Sequence, residues 1–253
     1  MKITFLGTGT SQGVPVIGCT CEVCTSVDFR DKRLRTSLHL LVDGKSIIID
    51  SGPDFRQQVL TNRIAQLDAL LFTHEHKDHV AGMDDVRSFN FLQQRAMPVY
   101  AHARVIESLK REFSYVFAEK KYPGVPQVDI HEIGSSPFEA VGVQFRPIQV
   151  MHYKLPVLGF RVQDFTYITD ANDISDLEKE KIQGSKVLVV NALQKEKHLS
   201  HFTLAEALQL IEELKPEQAY LIHMSHRMGL HREVTTELPP GVHLAYDGLT
   251  VNI

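Results

Sequence analysis

The stretch Ala69-Leu70-Leu71-Phe72-Thr73-His74-Glu75-His76-Lys77-Asp78-His79 sets an apolar run directly before three histidines and one aspartate within six positions. A run of this length and composition reads as a buried strand. The block that follows therefore sits at a strand's carboxyl end. Burying that many polar rings without partners costs several kcal/mol by roughly additive accounting, so they do not read as ordinary core. Imidazole and carboxylate together are the donor types that Zn²⁺, Mn²⁺ and Fe accept.

Outward from this block the chain alternates strands with helices. Apolar runs at Ser46–Asp50, Val187–Val190 and Ala219–Ile222 read as further buried strands. Gly159–Thr169 reads as a hairpin turning around Asp164, and the C-terminal stretch from His243 carries an Asp247-Gly248 turn between alternating residues. Two helices stand out. Ala103–Phe117 presents Val105, Ile106, Leu109, Phe113 and Val116. Thr203–Leu214 opens on a capping box, Thr203 and Glu206, lines up Leu204, Ala207, Leu208, Ile211 and Leu214, and stops at Pro216. Tyr122–Pro147, dotted with Pro and Gly, reads as the loosest region. No repeat and no linker divides the 253 residues, so one α/β sandwich domain over 1–253 is expected.

Net charge is −4 and the pI about 6.3, which weighs against a broad nucleic-acid surface. No run approaches the roughly 18 apolar residues of a membrane span, so no membrane association is expected. The opening MKITFLGTGTSQG reads as a strand and not as an export signal, so a cytoplasmic setting is expected. The odd count of three cysteines argues against a disulfide framework.

The pattern H-x-H-x-D-H after a strand resembles the hallmark of the metallo-β-lactamase superfamily, and other stations of that family follow in order. Asp50 ends SIIID, His152 follows FRPIQVM, Asp170 ends FTYITD and His223 ends AYLIH. The resemblance implies a four-layer αββα sandwich carrying two divalent ions, Zn or Mn, with a hydroxide between them. One ion would take His74, His76 and His152, the other Asp78, His79 and His223, and Asp170 would bridge. Asp50 would orient the histidine loop rather than ligate.

Cys19, Cys21 and Cys24 form a C-x-C-x-x-C loop, whose thiolates suit a tetrahedral Zn²⁺ but lack a fourth ligand nearby. Together with GTGTSQGVP (Gly7 to Pro15) and the second histidine of His223-Met-Ser-His226, this loop resembles a subgroup related to the cyclic phosphodiesterase of the carbon–phosphorus lyase pathway. That resemblance implies His226 as the fourth ligand of one structural Zn²⁺. Relatives of this kind are often homodimers, so a homodimer is a further expectation.

Two metals a few ångströms apart suit phosphodiester cleavage, and the leaving oxygen then needs a proton. His201, two residues before the Thr203 cap, stands where a helix N-terminus attracts phosphate oxygens and is the candidate acid or phosphate ligand, with His198 a weaker competitor. Arg87 could reach phosphate bidentately or pair with Asp84 or Asp85. No Lys-rich substrate-gripping insertion like that of tRNA-processing relatives is present, so a small cyclic ribose phosphodiester is the expected substrate. The alternatives are a thioester or lactone hydrolase of the same fold, a tRNA-processing-type nuclease, and a cofactor-biosynthesis partner protein.

Overall fold

The computed structural model describes residues 1–253. Strands β1 (Lys2–Gly7), β2 (Ser37–Val42), β3 (Lys45–Ile49), β4 (Ala69–Leu71), β5 (Met97–Ala101) and β6 (Val128–Glu132) build one sheet. Strands β7 (Phe138–Ala140), β8 (Val143–His152), β9 (Leu155–Val162), β10 (Phe165–Tyr167), β11 (Val187–Asn191), β12 (Gln218–Ile222) and β13 (Val242–Leu244) build the second. A last strand, β14 (Thr250–Asn252), returns to the first sheet beside β1. The sheet orders are β14-β1-β2-β3-β4-β5-β6 and β13-β12-β11-β10-β9-β8-β7, seven strands each.

The layering follows from side-chain alternation. Ile47, Ile49, Ala69 and Leu71 point between the sheets, where they meet Phe145, Phe160, Val187 and Val189. Their neighbours Ile48, Leu70 and Val99 point outward onto Phe55, Val105, Ile106 and Leu109. On the other side Leu188, Val190, Ile148 and Val150 point outward onto Leu204, Ala207, Leu210, Ile211 and Leu214. Strands buried on both faces must be apolar throughout, which is why these runs show no polar alternation. Each such side chain contributes roughly 1.5–3 kcal/mol on burial. The outer layers come from α2 (Phe55–Thr61), α4 (Arg87–Gln93) and α5 (Ala103–Glu112) on one side, and α7 (Asp176–Ile182), α8 (Leu204–Leu214) and α9 (His231–Glu237) on the other. Single turns α1 (Glu22–Thr25), α3 (Lys77–Val80) and α6 (Ser114–Phe117) lie in connections. The fold is the αββα sandwich. No helix is long and apolar enough to cross a membrane.

Four expectations need correction. The helix over 103–117 is two, α5 and α6, broken at Phe113, whose ψ of 42° turns its ring into the outer core. In α8 it is Leu210 that is buried, with Leu208 only packed against the cluster. The region 122–147 holds β6, β7 and the start of β8. Pro147 is tolerated in β8 because β7 pairs only with Val143–Phe145, so the proline lies on an edge where its missing N–H costs no ladder bond. The Asp247-Gly248 turn does not close a hairpin. β13 runs parallel to β12 in one sheet and β14 antiparallel to β1 in the other. Asp247 accepts from Thr8 Oγ1 (2.8 Å) and Leu34 N (2.6 Å), which draws the chain across.

His39, on β2, is mostly buried, with Nε2 2.8 Å from Ser46 Oγ and no carboxylate partner. Burial, then the charge of Lys2, lower its pKa to about 4. The folded chain therefore binds fewer protons than the unfolded one between about pH 4 and the ordinary histidine value near 6.5. Its contribution is fully present above that upper limit and is lost as pH falls through the window. His39→Gln, which keeps a polar group toward Ser46, is expected to shift the acid-unfolding midpoint downward, read by circular dichroism. An unchanged midpoint would show that His39 is not acid-sensitive.

Candidate active site

The fold gathers the predicted site residues where strands end. Asp50 follows β3, His74 follows β4, His152 closes β8, Asp170 lies just past β10 and His223 follows β12. Asp50, Asp170 and His223 all have left-handed backbones, with φ of 63°, 56° and 57°. For non-glycine residues such conformations cost of order 1–3 kcal/mol each and are retained where the surroundings hold them. The turn after Asp50 also needs glycine, since a Cβ at Gly52 would overlap the Asp78 carbonyl.

Hydrogen bonds fix the imidazoles one by one. The Asp50 carboxylate accepts from Thr73 N (2.9 Å) and Thr73 Oγ1 (2.9 Å), and lies 2.8 Å from His79 Nδ1. With its hydrogen given to Asp50, Thr73 Oγ1 accepts from His74 Nδ1 at 3.0 Å. His152 Nδ1 donates to the Ser200 carbonyl at 2.8 Å. His223 Nδ1 is 3.2 Å from Thr36 Oγ1, whose own hydrogen goes to the Gly9 carbonyl. In His74, His79 and His152 the engaged Nδ1 leaves Nε2 to face the site, whereas in His223 Nδ1 itself lies toward Asp170 and Nε2 is 3.2 Å from Thr10 Oγ1. The Nε2 atoms of His74 and His79 are buried with no hydrogen-bond partner.

Asp170 stands in the middle. Its oxygens lie 3.2 Å from His223 Nδ1, 3.4 Å from His79 Nε2, 3.4 Å from His201 Nε2 and 3.6 Å from His74 Nε2. Burial would raise its pKa, but His223 and His79 hold it well below the carboxylate range. Asp78 Oδ2 is 3.2 Å from His79 Nε2. Burial works against a proton on His79 too, yet Asp170, Asp78 and Asp50 keep its pKa well above the ordinary value. Burial lowers the His223 pKa to about 4.

Asp50, Asp78 and Asp170 are buried, and their ion-pair partners are histidines alone. Uncompensated buried carboxylates are costly, and orphaned imidazole lone pairs facing them form the donor chemistry of a divalent cation. The donor groups are Asp78, His79, Asp170 and His223 in one set and His74, His76 and Asp170 in another. The first matches the expected partition. The second differs from it, because His152 groups with Asp170 and His201 instead. Its bond to Ser200 O ties it to the loop that carries His201. The His152 ring still lies 5.1 Å from His76 and 5.9 Å from His74 between centroids.

His201 is buried, stacked on His223 (4.9 Å between centroids) and 3.3 Å from His198 between Nδ1 atoms. The Thr203 cap and its reciprocal bond with Glu206 start α8 just beyond it. A polar cleft of about 290 Å³ opens beside it, lined by Gln12, Gln194, His198, His226 and Arg227 among others. Arg87 does not line this cleft. It is half-exposed and sits 3.5 Å from Asp84, the pairing that the sequence offered as the alternative to phosphate. Arg227 takes its place as the cleft's arginine. The signal was present in the sequence, immediately after His226. Arg104, 2.8 Å from Glu75 and bonded to the Pro156 carbonyl, has no sequence signal of its own; it ties the histidine loop to β9.

The cysteine loop closes on the same region. Cys19, Cys21 and Cys24 Sγ lie 3.3, 3.4 and 3.6 Å from one atom, His226 Nδ1. One ring nitrogen makes one hydrogen bond, so three sulfurs around it are not a hydrogen-bonded set. A tetrahedral Zn²⁺ with standard Zn–S and Zn–N bonds has ligand edges of about 3.5 Å, which these distances match. The backbone N–H of Cys24 is the main cause of a Cys21 pKa lowered to about 6. Cys21→Ser is expected to remove one zinc and lower thermal stability while the remaining protein keeps its other metals, read by elemental analysis and melting. A full metal count in a folded variant would contradict the assignment.

Two facing sheets with histidines and carboxylates gathered at one edge define a metallohydrolase. A family model described as the Beta-lactamase superfamily domain matches residues 45–224, and the chain belongs to the metallo-β-lactamase superfamily. It is similar to a solved diphosphatase from the PhnP family, with 38% identity, a TM-score of 0.93 and coverage of 100% of this chain and 97% of that one. It is 42% identical over 252 residues to an octanoyltransferase of Porphyromonas gingivalis strain W83, covering 98% of this chain and 51% of that protein. The chain thus spans about half the length of the curated relatives it matches. The zinc-bound PqqB from Methylobacterium extorquens, at 17% identity with a TM-score of 0.81 and full coverage of both chains, shares the fold.

Proposed function

We propose that the protein is a phosphodiesterase with two divalent ions in the histidine–aspartate centre and one structural zinc at the cysteines, acting on a small ribose phosphodiester. The observation that carries this reading is His201, two residues before the Thr203 cap of α8, with its Nε2 3.4 Å from Asp170 and its ring lining a polar cleft. A thioester, whose thiolate departs without a proton, has less need of a proton donor beside the centre. When bound by His74, His76, Asp78, His79, His152, Asp170 and His223, the ions would supply Lewis acidity toward phosphoryl oxygens and a more acidic water.

The chain's own residues supply the rest. Asp50 holds His79 through Nδ1, and Ser200 O holds His152, so neither ring can turn away. On this reading the leaving oxygen takes its proton from His201 at the edge of the cleft, with Ser200 Oγ 3.1 Å from its Nδ1 to steady the ring. The PhnP-family diphosphatase supports phosphorus chemistry and raises a phosphoanhydride as a related substrate.

One observation favours a second reading. The octanoyltransferase matches this chain over 98% of its length, so an octanoyl thioester is the substrate to set against a phosphodiester. Turnover of bis-p-nitrophenyl phosphate, 2′,3′-cyclic AMP and a dinucleoside diphosphate should be measured beside octanoyl thioester on the metal-loaded protein. Phosphoester or phosphoanhydride cleavage alone is the expected result. Thioester cleavage without phosphorus chemistry would replace the proposal with the second reading.

A further inference from the structure

A second polar hollow, of about 450 Å³, lies away from the metal centre and is lined by Pro137, Gln144, Phe145, Arg146, Arg161 and Gln163. It exists because of register. β8 and β9 pair antiparallel with Arg146 opposite Arg161, followed along the same face by Ile148 opposite Gly159 and Val150 opposite Val157. Ile148, Val150 and Val157 are covered by the outer helical layer. The arginine row lies beyond that cover.

Like charges set directly opposite on neighbouring strands are destabilising, and neither arginine forms an ion pair with a carboxylate, although the charge of Asp164 acts on Arg161. Arg161 gives its Nε to the carbonyl of Gln163 in the β9–β10 turn (3.1 Å) and its Nη1 to the carbonyls of Lys181 (2.8 Å) and Gln183 (2.6 Å) at the end of α7. The neighbouring carboxylates bond other groups, two of them the hollow's own amides, and none bonds either arginine. Asp164 pairs with Lys186, Glu139 accepts from Gln144, and Asp43 accepts from Gln163. Two arginines therefore stand at opposed positions in the wall of a hollow whose other polar side chains are amides, Arg161 anchored through Nε and Nη1 with Nη2 left over, and Arg146 exposed and unanchored.

We infer that this hollow is a binding site for a small phosphorylated molecule, distinct from the metal centre, with Arg146 and Arg161 taking its phosphate. Arginine forks match phosphate geometry, and the volume is that of a small-molecule pocket rather than of a lone ion. Arg146 lies six residues before His152 on β8, about 20 Å along an extended strand, so one small substrate does not fill both sites.

The test uses the zinc-loaded, ¹⁵N-labelled full chain titrated with inorganic phosphate, following the arginine Nε–Hε resonances. Saturable shifts at Arg146 and Arg161 are expected. Arg146→Gln, whose side chain anchors no backbone, should weaken the response at Arg161 by about tenfold or more. The same variant, free of phosphate, should melt about 1–3 °C higher, because the opposed charge is gone. Non-saturating drift at both arginines, or an unchanged half-saturation at Arg161 in the variant, would overturn the site. So would saturation by a tRNA fragment with no response to phosphate, which would make the hollow a polyanion surface.

Discussion

Asp170→Asn is expected to remove at least one of the two ions from the centre and to lower phosphodiester turnover by about 10³-fold or more, in line with losing a preorganised electrostatic group. Its two oxygens face four imidazoles at 3.2–3.6 Å. Asparagine keeps the shape but removes the charge and aims N–H groups at ring nitrogens that offer lone pairs. The left-handed backbone at Asp170 tolerates asparagine, so loss of fold is not the expected cause. Elemental analysis and kinetics on the same preparation check both parts. Full metal content with near-normal turnover would contradict the bridging assignment.

His201→Ala is expected to lower kcat on phosphodiesters by about 10²–10⁴-fold, the usual worth of a positioned acid, and to leave metal content unchanged. The structure makes the metal half of this test sharp, because His201 groups with His152 and Asp170 at donor distance. If His201 is a ligand, the variant loses an ion. If it carries the leaving group's proton, both ions stay, and a substrate with p-nitrophenolate as leaving group, which needs no proton, should suffer much less than a ribose phosphodiester. An equal loss on both substrates would contradict the acid role.

Much of the architecture was legible because its physical causes are local. Strands β3, β4, β11 and β12 are apolar on both faces, and such runs identify themselves. The α8 boundary was readable from the Thr203–Glu206 capping box. The residues at strand ends were readable because His74 to His79 fixed the kind of site, and the others follow apolar runs. What escaped depends on distant partners. The crossing of the C-terminal strand between sheets rests on Asp247 meeting Thr8 and Leu34. The pairing of His152 with the His201 loop rests on a backbone carbonyl, which no sequence pattern announces. The sequence left Arg87 open between phosphate and Asp84 or Asp85, and the 3.5 Å pair with Asp84 is a three-dimensional fact, as is the place of Arg227 in the cleft lining.

The most direct test of the central claim is the number of metal ions per chain, measured by elemental analysis on purified wild-type protein after dialysis against metal-free buffer. The expected count is close to three, two in the histidine–aspartate centre and one at the cysteines. A folded protein that holds one ion or none would contradict the dinuclear centre on which the proposed chemistry depends.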